Sequence, residues 1–392
     1  MGLSIGTNII CAKLYGAKET DKVSAVVHTS ILASIIIGFV MGIVGLIFAD
    51  PLLSMMNNGQ YLSRVYLRIY FIGLPFNILY NFAASILRSV GDTKRPLIYL
   101  TIAGITNIIL NFILVYFFNL GVAGVAIATV TSQVISCCLI MRTLMKTNEP
   151  YKIVISKLKL HKKEMLQIIK LGLPAGIQSM LFSISNVIIQ SSVNSFQLAT
   201  GSTIVTDGNA AAASIEGFVF VAMNSIYQAS LAFTSQNYGA KNAKNIIKVT
   251  IYSLIIVTTI SIFLGGLFFI LGKPLLNLYV DGEAINIGYI RLHYLCLPYF
   301  LYGMMDVIVG VLRGLSLSTL PMIVSVLGIC GFRVLWIYTV FQPNTNYINY
   351  NDLNLLYISY PISWILTFIV QLVILLIVSK RIFKSFNQEQ QA

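Results

Sequence analysis

Three charged side chains interrupt the long apolar runs of this 392-residue sequence: Glu216, Asp306 and Arg333. A charge at the centre of a bilayer costs about 2.5–3.5 kcal/mol on insertion scales, so a charged residue in such a run is a functional candidate by default. Glu216 lies about eight residues, or about 12 Å, into its run. Its carboxylate could couple to a proton or another cation, or could belong to a structural ion pair.

The other two charges also lie well inside their runs. Asp306 comes seven residues before Arg313, about 10 Å from the end of its run, where it could contact a cation or substrate or serve helix packing. Arg333 lies at a depth close to that of Glu216. Because a buried arginine seldom stays unpaired, we expect Arg333 to pair with Glu216 or Asp306, as a gate, an internal counter-cation or a structural ion pair.

Amide side chains and prolines supply a second set of candidates. An amide contact between helices is worth about 0.6 kcal/mol, so helix bridging is one explanation and the lining of a substrate cleft is the other. The cleft candidates are Gln178, Asn186, Gln190, Asn209, Asn224 and Asn81, the last at the repeat position of Asp306. Pro75 and Pro298 each remove a backbone hydrogen bond, which predicts either a hinge or a static kink.

Signatures of an enzyme do not accompany these residues. The sequence has no phosphate-binding Gly-Lys-Ser loop. Its three histidines and five cysteines are scattered without metal-ligand spacing. We therefore predict no enzyme, no metal site and no cofactor, and we expect any transport to draw its energy from an ion gradient.

The candidates belong to runs that are long enough to cross a bilayer. Apolar residues make up 57% of the chain and charged residues 10%, against about 25% charged in soluble domains. A spanning helix needs about 20 mostly apolar residues, which predicts an all-α polytopic membrane protein with ten full spans, residues 1–16 being the end of one more. The ten runs are 24–48, 62–87, 96–118, 120–145, 167–195, 208–236, 246–271, 286–313, 320–342 and 354–383.

The basic residues lie mostly on one side of these spans. Of the 26 lysines and arginines, 21 fall at the ends that would share one membrane face, and four, Arg291 among them, fall at the opposite ends. This bias predicts a multi-pass protein of the inner or plasma membrane with a cytoplasmic C-terminus. The net charge of +13 is thereby explained without nucleic acid as a partner.

The sequence also repeats itself at offsets of 223 to 225 residues. Residues 15–18 and 238–241 both read Tyr-Gly-Ala-Lys, and four further pairs match. These are Pro51-Leu52-Leu53 with Pro274-Leu275-Leu276, Tyr66-Leu67-Arg68 with Tyr289-Ile290-Arg291, Leu74-Pro75 with Leu297-Pro298, and Leu87-Arg88 with Leu312-Arg313. An even number of spans in each half makes such a repeat parallel, so we predict two parallel six-helix bundles with a transport route between them.

The repeat predicts the domain organisation. The second half begins near Lys163, and its first-half counterpart would lie about 60 residues before Met1, so we expect the first bundle to lack its first helix and most of its second. The predicted parts are an incomplete bundle over 1–145, a basic cytoplasmic linker over 146–166 and a second bundle over 167–392. We expect the linker to rest on anionic lipid rather than to form a regulatory site.

Four segments together resemble the multidrug and toxic compound extrusion (MATE) transporters. They are Gly-Leu-Ser-Ile-Gly-Thr at 2–7, Leu-Arg-Ser-Val-Gly-Asp-Thr-Lys-Arg-Pro at 87–96, Leu-Gly-Leu-Pro-Ala-Gly at 171–176 and Leu-Arg-Gly at 312–314. The resemblance implies twelve helices in two lobes and export coupled to Na⁺ or H⁺ entry. Members commonly carry an acidic residue on the first helix, and some carry a glutamate shortly after Gly-Leu-Pro. Here the second stretch, Gln178 to Ser183, has no acid, so the coupling ion stays open.

The resulting hypothesis is a monomeric secondary active antiporter in the lipid bilayer. It would export small cationic or amphipathic molecules in exchange for Na⁺ or H⁺ by alternating access. One alternative is a lipid-linked oligosaccharide flippase of related architecture, which would need a wide, cation-lined cleft. Another is a membrane-embedded enzyme, which would need several histidines or acids at one depth, and the sequence does not offer them.

Overall fold

A computed structural model describes residues 2–55, 61–341 and 352–391 of the chain. The chain divides into two compact units, unit 1 (Met1–Leu173) and unit 2 (Pro174–Ala392), and the boundary falls inside α6. Unit 1 holds α1 (Gly2–Gly16), α2 (Thr20–Met55), α3 (Tyr61–Ser89), α4 (Lys94–Phe112), α5 (Gly121–Lys146) and the start of α6 (Lys162–Thr200). Unit 2 continues with α7 (Ile204–Gly239), α8 (Ala243–Ile270), α9 (Gly272–Leu276), α10 (Glu283–Cys296), α11 (Tyr299–Gly314), α12 (Thr319–Ser325), α13 (Phe332–Trp336), α14 (Asp352–Tyr357) and α15 (Ser359–Gln391).

The predicted spans agree with these helices. Within the described ranges nine helices, counting α12 and α13 with the π-helical turns around them as one, are long and apolar enough to cross a membrane, and the bent pair α10–α11 can supply a tenth. Each predicted run coincides with one of them to within several residues. The prediction of an all-α polytopic membrane protein is therefore confirmed.

The internal repeat reappears in the backbone conformation of the turns. Lys18 and Lys241, which are 223 residues apart, both have positive φ, at 60° and 52°. In each turn the lysine amide donates to the carbonyl three residues earlier at 3.1 Å. The next pair, Gly91 and Ser316 at the 225 offset, also has positive φ, at 91° and 65°. Because positive φ is uncommon outside glycine, shared occurrences at matched positions support a duplicated fold.

Helix α3 lies at the centre of unit 1, against α1, α2 and α5. Pro75 stands inside this continuous helix, and the backbone of α2 approaches it closely at Gly38. A Cβ on Gly38 would lie 2.8 Å from the Pro75 Cα, so no larger residue fits without a shift. The structure thus places Pro75 in a tight helix contact, and its role as a hinge remains a prediction.

Pro298 stands at a real break in unit 2. The predicted single run 286–313 is two helices, α10 and α11, which meet at Leu297–Pro298 with a bend of 46°. Because proline removes the hydrogen bond of its own nitrogen and clashes with the preceding turn, a sharp bend at this position has a direct cause. Whether this bend moves during a transport cycle remains a prediction.

Helix α8 packs against the C-terminal end of α10 through a glycine, which provides a sharp test of this packing. A Cβ on Gly265 would lie 2.1 Å from the Cys296 carbonyl oxygen, whereas a Cβ on the adjacent Gly266 would meet nothing within 4 Å. We expect Gly265→Ala to lower the thermal unfolding midpoint of the purified protein, since overpacking typically costs about 1–3 kcal/mol. Gly266→Ala should leave the midpoint unchanged or raise it slightly. Equal behaviour of the two variants would contradict the close approach of these helices.

Candidate functional site

The polar residues predicted from the sequence concentrate in the interior of unit 2. Glu216 and Asn209 on α7 are 7% and 2% exposed, and Arg333 on α13 is 5% exposed. Gln178 on α6 is also buried, and Asp306 on α11 is partly buried. Two further predicted residues contribute less, because Asn186 is exposed and Asn224 is half-buried.

Arg291 and Glu216 form a bidentate ion pair between α10 and α7. The Arg291 Nε donates to Glu216 Oε1 at 2.8 Å, and Arg291 Nη2 donates to Oε2 at 2.9 Å. Their side chains are 12% and 9% exposed. Two parallel N–H···O bonds to one carboxylate are among the stronger hydrogen-bonded arrangements in proteins, so this pair joins the two helices firmly.

Amide and phenol groups extend the ion pair into a network. Arg291 Nη1 donates to Asn209 Oδ1 at 2.6 Å, and the Tyr357 hydroxyl donates to the same oxygen at 3.0 Å. Asn209 Nδ2 in turn donates to Gln190 Oε1 at 3.0 Å, and Gln190 Nε2 donates to Asn194 Oδ1 at 3.0 Å. The network therefore reaches from α6 through α7 and α10 to α14.

The predicted pairing of Arg333 with Glu216 or Asp306 is wrong. Glu216 forms its ion pair with Arg291, and Arg333 forms no ion pair among the described residues. Arg291 is not among the predicted site residues, because its place in the sequence groups it with the charges at the outer ends of the spans. The sequence signal is that Arg291 occupies the repeat position of Arg68; in the structure Arg68 also forms an ion pair, with Asp50 at 2.7 Å, although that pair is exposed.

Arg333 is instead stabilised by aromatic rings. Its guanidinium carbon lies 3.9 Å from the centre of the Tyr360 ring and 5.8 Å from that of Trp364, and its Nε donates to Ser363 Oγ at 3.0 Å. A cation above a π-face gains electrostatic stabilisation that grows when water is excluded. The Nη2 atom is buried and has no hydrogen-bond partner among the described residues, so both N–H groups of this nitrogen are unused there.

Aromatic side chains continue from this arginine towards Asp306. The Tyr302 ring lies 5.7 Å from Trp364 and 5.5 Å from Tyr299, between ring centres. Asp306, one turn after Tyr302, lies within electrostatic range of Tyr302 and Arg313. In the described part of the chain its carboxylate has neither an ion pair nor a hydrogen bond, although it is the second carboxylate in the middle of a span.

Arg313 ends this polar path at the C-terminus of α11. It donates through Nη1 to the Tyr227 hydroxyl and through Nη2 to Gln178 Oε1 at 2.8 Å. The chain can bring α11 this close to α7 because Gly310 faces it, and a Cβ there would lie 2.5 Å from Ser230 Oγ. The buried arginine thus connects α6, α7 and α11 at one end of unit 2.

Two other features do not contribute to this site. Asn81 in unit 1 donates to the carbonyl and side-chain oxygens of Asn77, at 2.8 and 3.1 Å, within its own helix. An apolar groove of about 480 Å³ between α6 and the α12–α13 span is lined by residues such as Leu181, Ile184 and Val334, and none of the predicted site residues line it. In the described ranges no group of three His, Cys, Asp or Glu side chains is arranged to hold a metal.

Comparison with known proteins shows clear relatives. The model of the MatE family matches residues 1–113 and 174–339. The chain is 28% identical over 348 residues to the probable multidrug resistance protein YoeA of Bacillus subtilis, a match that covers 85% of this chain and 73% of the relative. It is 28% identical over 188 residues to the multidrug export protein MepA of Staphylococcus aureus, covering 47% and 42%.

Solved structures share the fold. A MOP superfamily transporter from Pyrococcus furiosus superposes with a TM-score of 0.87 at 20% identity, covering 98% of this chain and 84% of the other. The Vibrio cholerae MATE transporter VcmN gives a TM-score of 0.84 at 17% identity, covering 98% and 84%. At these identities the likeness establishes the architecture alone.

Proposed function

The chain belongs to the MatE family, and from that premise we propose that it is a secondary active efflux antiporter for small cationic or amphipathic molecules. Members of this family are transporters rather than enzymes. The names of YoeA and MepA, a multidrug resistance and a multidrug export protein, support a role in drug efflux. We further propose that the protein works in the plasma membrane as a monomer, with its C-terminus in the cytoplasm and by alternating access.

The coupling ion, Na⁺ or H⁺, is proposed to bind at Asp306. The observation that carries this proposal is that, of the two mid-span carboxylates, Glu216 is paired directly with Arg291, while Asp306 has no ion pair or hydrogen bond among the described residues and meets Arg313 only at longer range. An unpaired carboxylate in a span is costly unless a cation or proton occupies it for part of the cycle. The nearby Tyr302 and Tyr227 add polar groups that a cation or a substrate could contact.

Of the two roles that the sequence left open for Glu216, ion coupling and a structural ion pair, we propose the second. With both carboxylate oxygens engaged by Arg291, protonation of Glu216 would leave a buried arginine uncompensated, which is strongly unfavourable. We propose that this pair holds α10 against α7 and that it does not carry the coupling ion.

Transport in vesicles tests the function directly. The purified protein, reconstituted into liposomes, should drive movement of a fluorescent organic cation when a Na⁺ or an H⁺ gradient is imposed, and imposing each gradient alone identifies the ion. Movement of the dye under neither gradient would overturn the antiporter proposal. The oligosaccharide flippase is not favoured, since the curated relatives carry names of multidrug resistance and export.

A further inference from the structure

The linker between α5 and α6 is anchored to unit 1 at its beginning. Tyr151 and Ile153 are only 7% and 3% exposed and belong to the hydrophobic core of that unit. The Ile153 amide donates to the Leu144 carbonyl of α5 at 2.9 Å. The linker is thus a packed part of the bundle up to this point.

Two neighbouring residues of α2 then hold both ends of the segment 154–161. The Val154 amide donates to His28 Nε2 at 3.0 Å, and His28 Nδ1 donates to the Ser24 carbonyl at 2.7 Å. At the other end the His161 amide donates to Thr29 Oγ1 at 3.1 Å. His28 and Thr29 are 2% and 0% exposed. Both ends of the segment are therefore hydrogen-bonded to the same turn of α2.

The position of these contacts along α2 is informative. Thr29 lies nine residues after the start of α2 at Thr20, or about 14 Å along the axis. Farther along, α2 presents apolar side chains to its surroundings, from Ile36 at 45% exposed to Phe48 at 53%. The segment 154–161 therefore lies at the boundary between the polar end of α2 and its lipid-facing part.

At that level the segment presents apolar and basic side chains together. Ile155 is 71% exposed and Leu160 is 43% exposed, and Lys157 and Lys159 are exposed beside them. The whole linker 146–166 carries six lysines and two glutamates. Segments that bind the surface of an anionic membrane typically insert apolar side chains between the acyl chains and place lysines next to the lipid phosphates. The side chains of this segment follow that pattern.

We propose that the segment 154–161 is a binding site for anionic phospholipid headgroups, with Lys157 and Lys159 contacting the phosphates and Ile155 and Leu160 inserted between the acyl chains. The hydrogen bonds that His28 and Thr29 accept from the two ends of the segment hold these four side chains in one arrangement. The site is independent of the transported substrate and of the coupling ion.

Fluorescence quenching in vesicles tests the proposal on the full chain. Cys138 is the exposed thiol, and the other four cysteines are buried, so Ser156→Cys in a Cys138→Ser background places one dye in the segment. The dye should be quenched more by nitroxide-labelled phosphatidylglycerol than by nitroxide-labelled phosphatidylcholine at equal mole fraction. We expect a preference of about fivefold or more, reduced in 1 M salt because the Debye length falls to about 3 Å.

A matched pair of charge variants completes the test. Lys157→Gln with Lys159→Gln should bring the two quenching efficiencies together, whereas Lys244→Gln with Lys248→Gln, two exposed lysines at the start of α8, should leave the preference intact. Equal quenching by both lipids in the parent protein, or a preference that survives removal of Lys157 and Lys159, would overturn the proposal. Because both leaflets have the same composition, the result does not depend on orientation or on transport.

Discussion

Glu216→Gln should be among the most destabilising single substitutions in unit 2. The glutamine keeps the shape of the side chain but leaves the Arg291 guanidinium buried without its counter-charge. Removing one partner of a buried ion pair typically costs about 3–5 kcal/mol. The measurement is the thermal unfolding midpoint of the purified full chain in detergent, with Glu283→Gln as control, because Glu283 is an exposed residue at the start of α10.

A double variant separates the charge effect from general disruption. Arg291→Met combined with Glu216→Leu removes both charges, and replacing a buried pair by apolar residues of similar size is often close to neutral. We therefore expect the double variant to recover much of the midpoint that Glu216→Gln loses. A double variant as unstable as the single one would show that the hydrogen bond from Arg291 to Asn209, which the double variant also removes, matters more for holding α10 than the charge pair does.

Asp306→Asn should abolish most ion-coupled transport while leaving the protein folded. In the described structure Asp306 has no hydrogen-bonded or ion-paired partner to lose, and Arg313 keeps its hydrogen bonds to Tyr227 and Gln178, so the unfolding midpoint should stay near that of the parent. A hydrogen bond to a charged group is worth about 1.5–3 kcal/mol, and each 1.4 kcal/mol of lost binding free energy lowers the binding constant about tenfold. We therefore expect gradient-driven efflux of the fluorescent cation to fall by about 10- to 100-fold.

The controls for this variant test the role of the charge itself. Asp207→Asn changes an exposed aspartate in the first turn of α7 and should transport at the parental rate. Asp306→Glu keeps the carboxylate and should retain more activity than Asp306→Asn. Coupled transport at the parental rate by Asp306→Asn would remove Asp306 as the coupling site, although it would leave the efflux function itself standing.

Much of the site could be predicted because charge in an apolar run is conspicuous. Glu216, Asp306 and Arg333 all lie inside unit 2 as expected, and Asn209, Gln190 and Gln178 all take part in its polar contacts. The pairing of Glu216 with Arg291 could not be predicted in the same way. Arg291 lies near the start of its apolar run, where an arginine is also compatible with a position outside the membrane.

The contacts of the linker could not be predicted from the sequence either. Its basic composition indicated contact with anionic lipid, but composition does not reveal that Tyr151 and Ile153 are buried or that His28 accepts the Val154 amide. These contacts join residues more than 120 positions apart in the sequence. Only the folded unit brings them together.

The sequence alone determined the helical class, the ten spans and the duplicated turns, because apolar length and the spacing of turn residues are local properties of the chain. It also determined how deep each charge lies, since depth is the number of residues multiplied by 1.5 Å. Only the tertiary structure decided which charges meet, because each residue turns the helix by about 100° and the facing partner depends on how neighbouring helices rotate and approach. Contacts as close as that of Gly265 with the Cys296 carbonyl set that approach. In the described structure the resulting packing pairs Glu216 with Arg291 and leaves Asp306 without a direct ion pair.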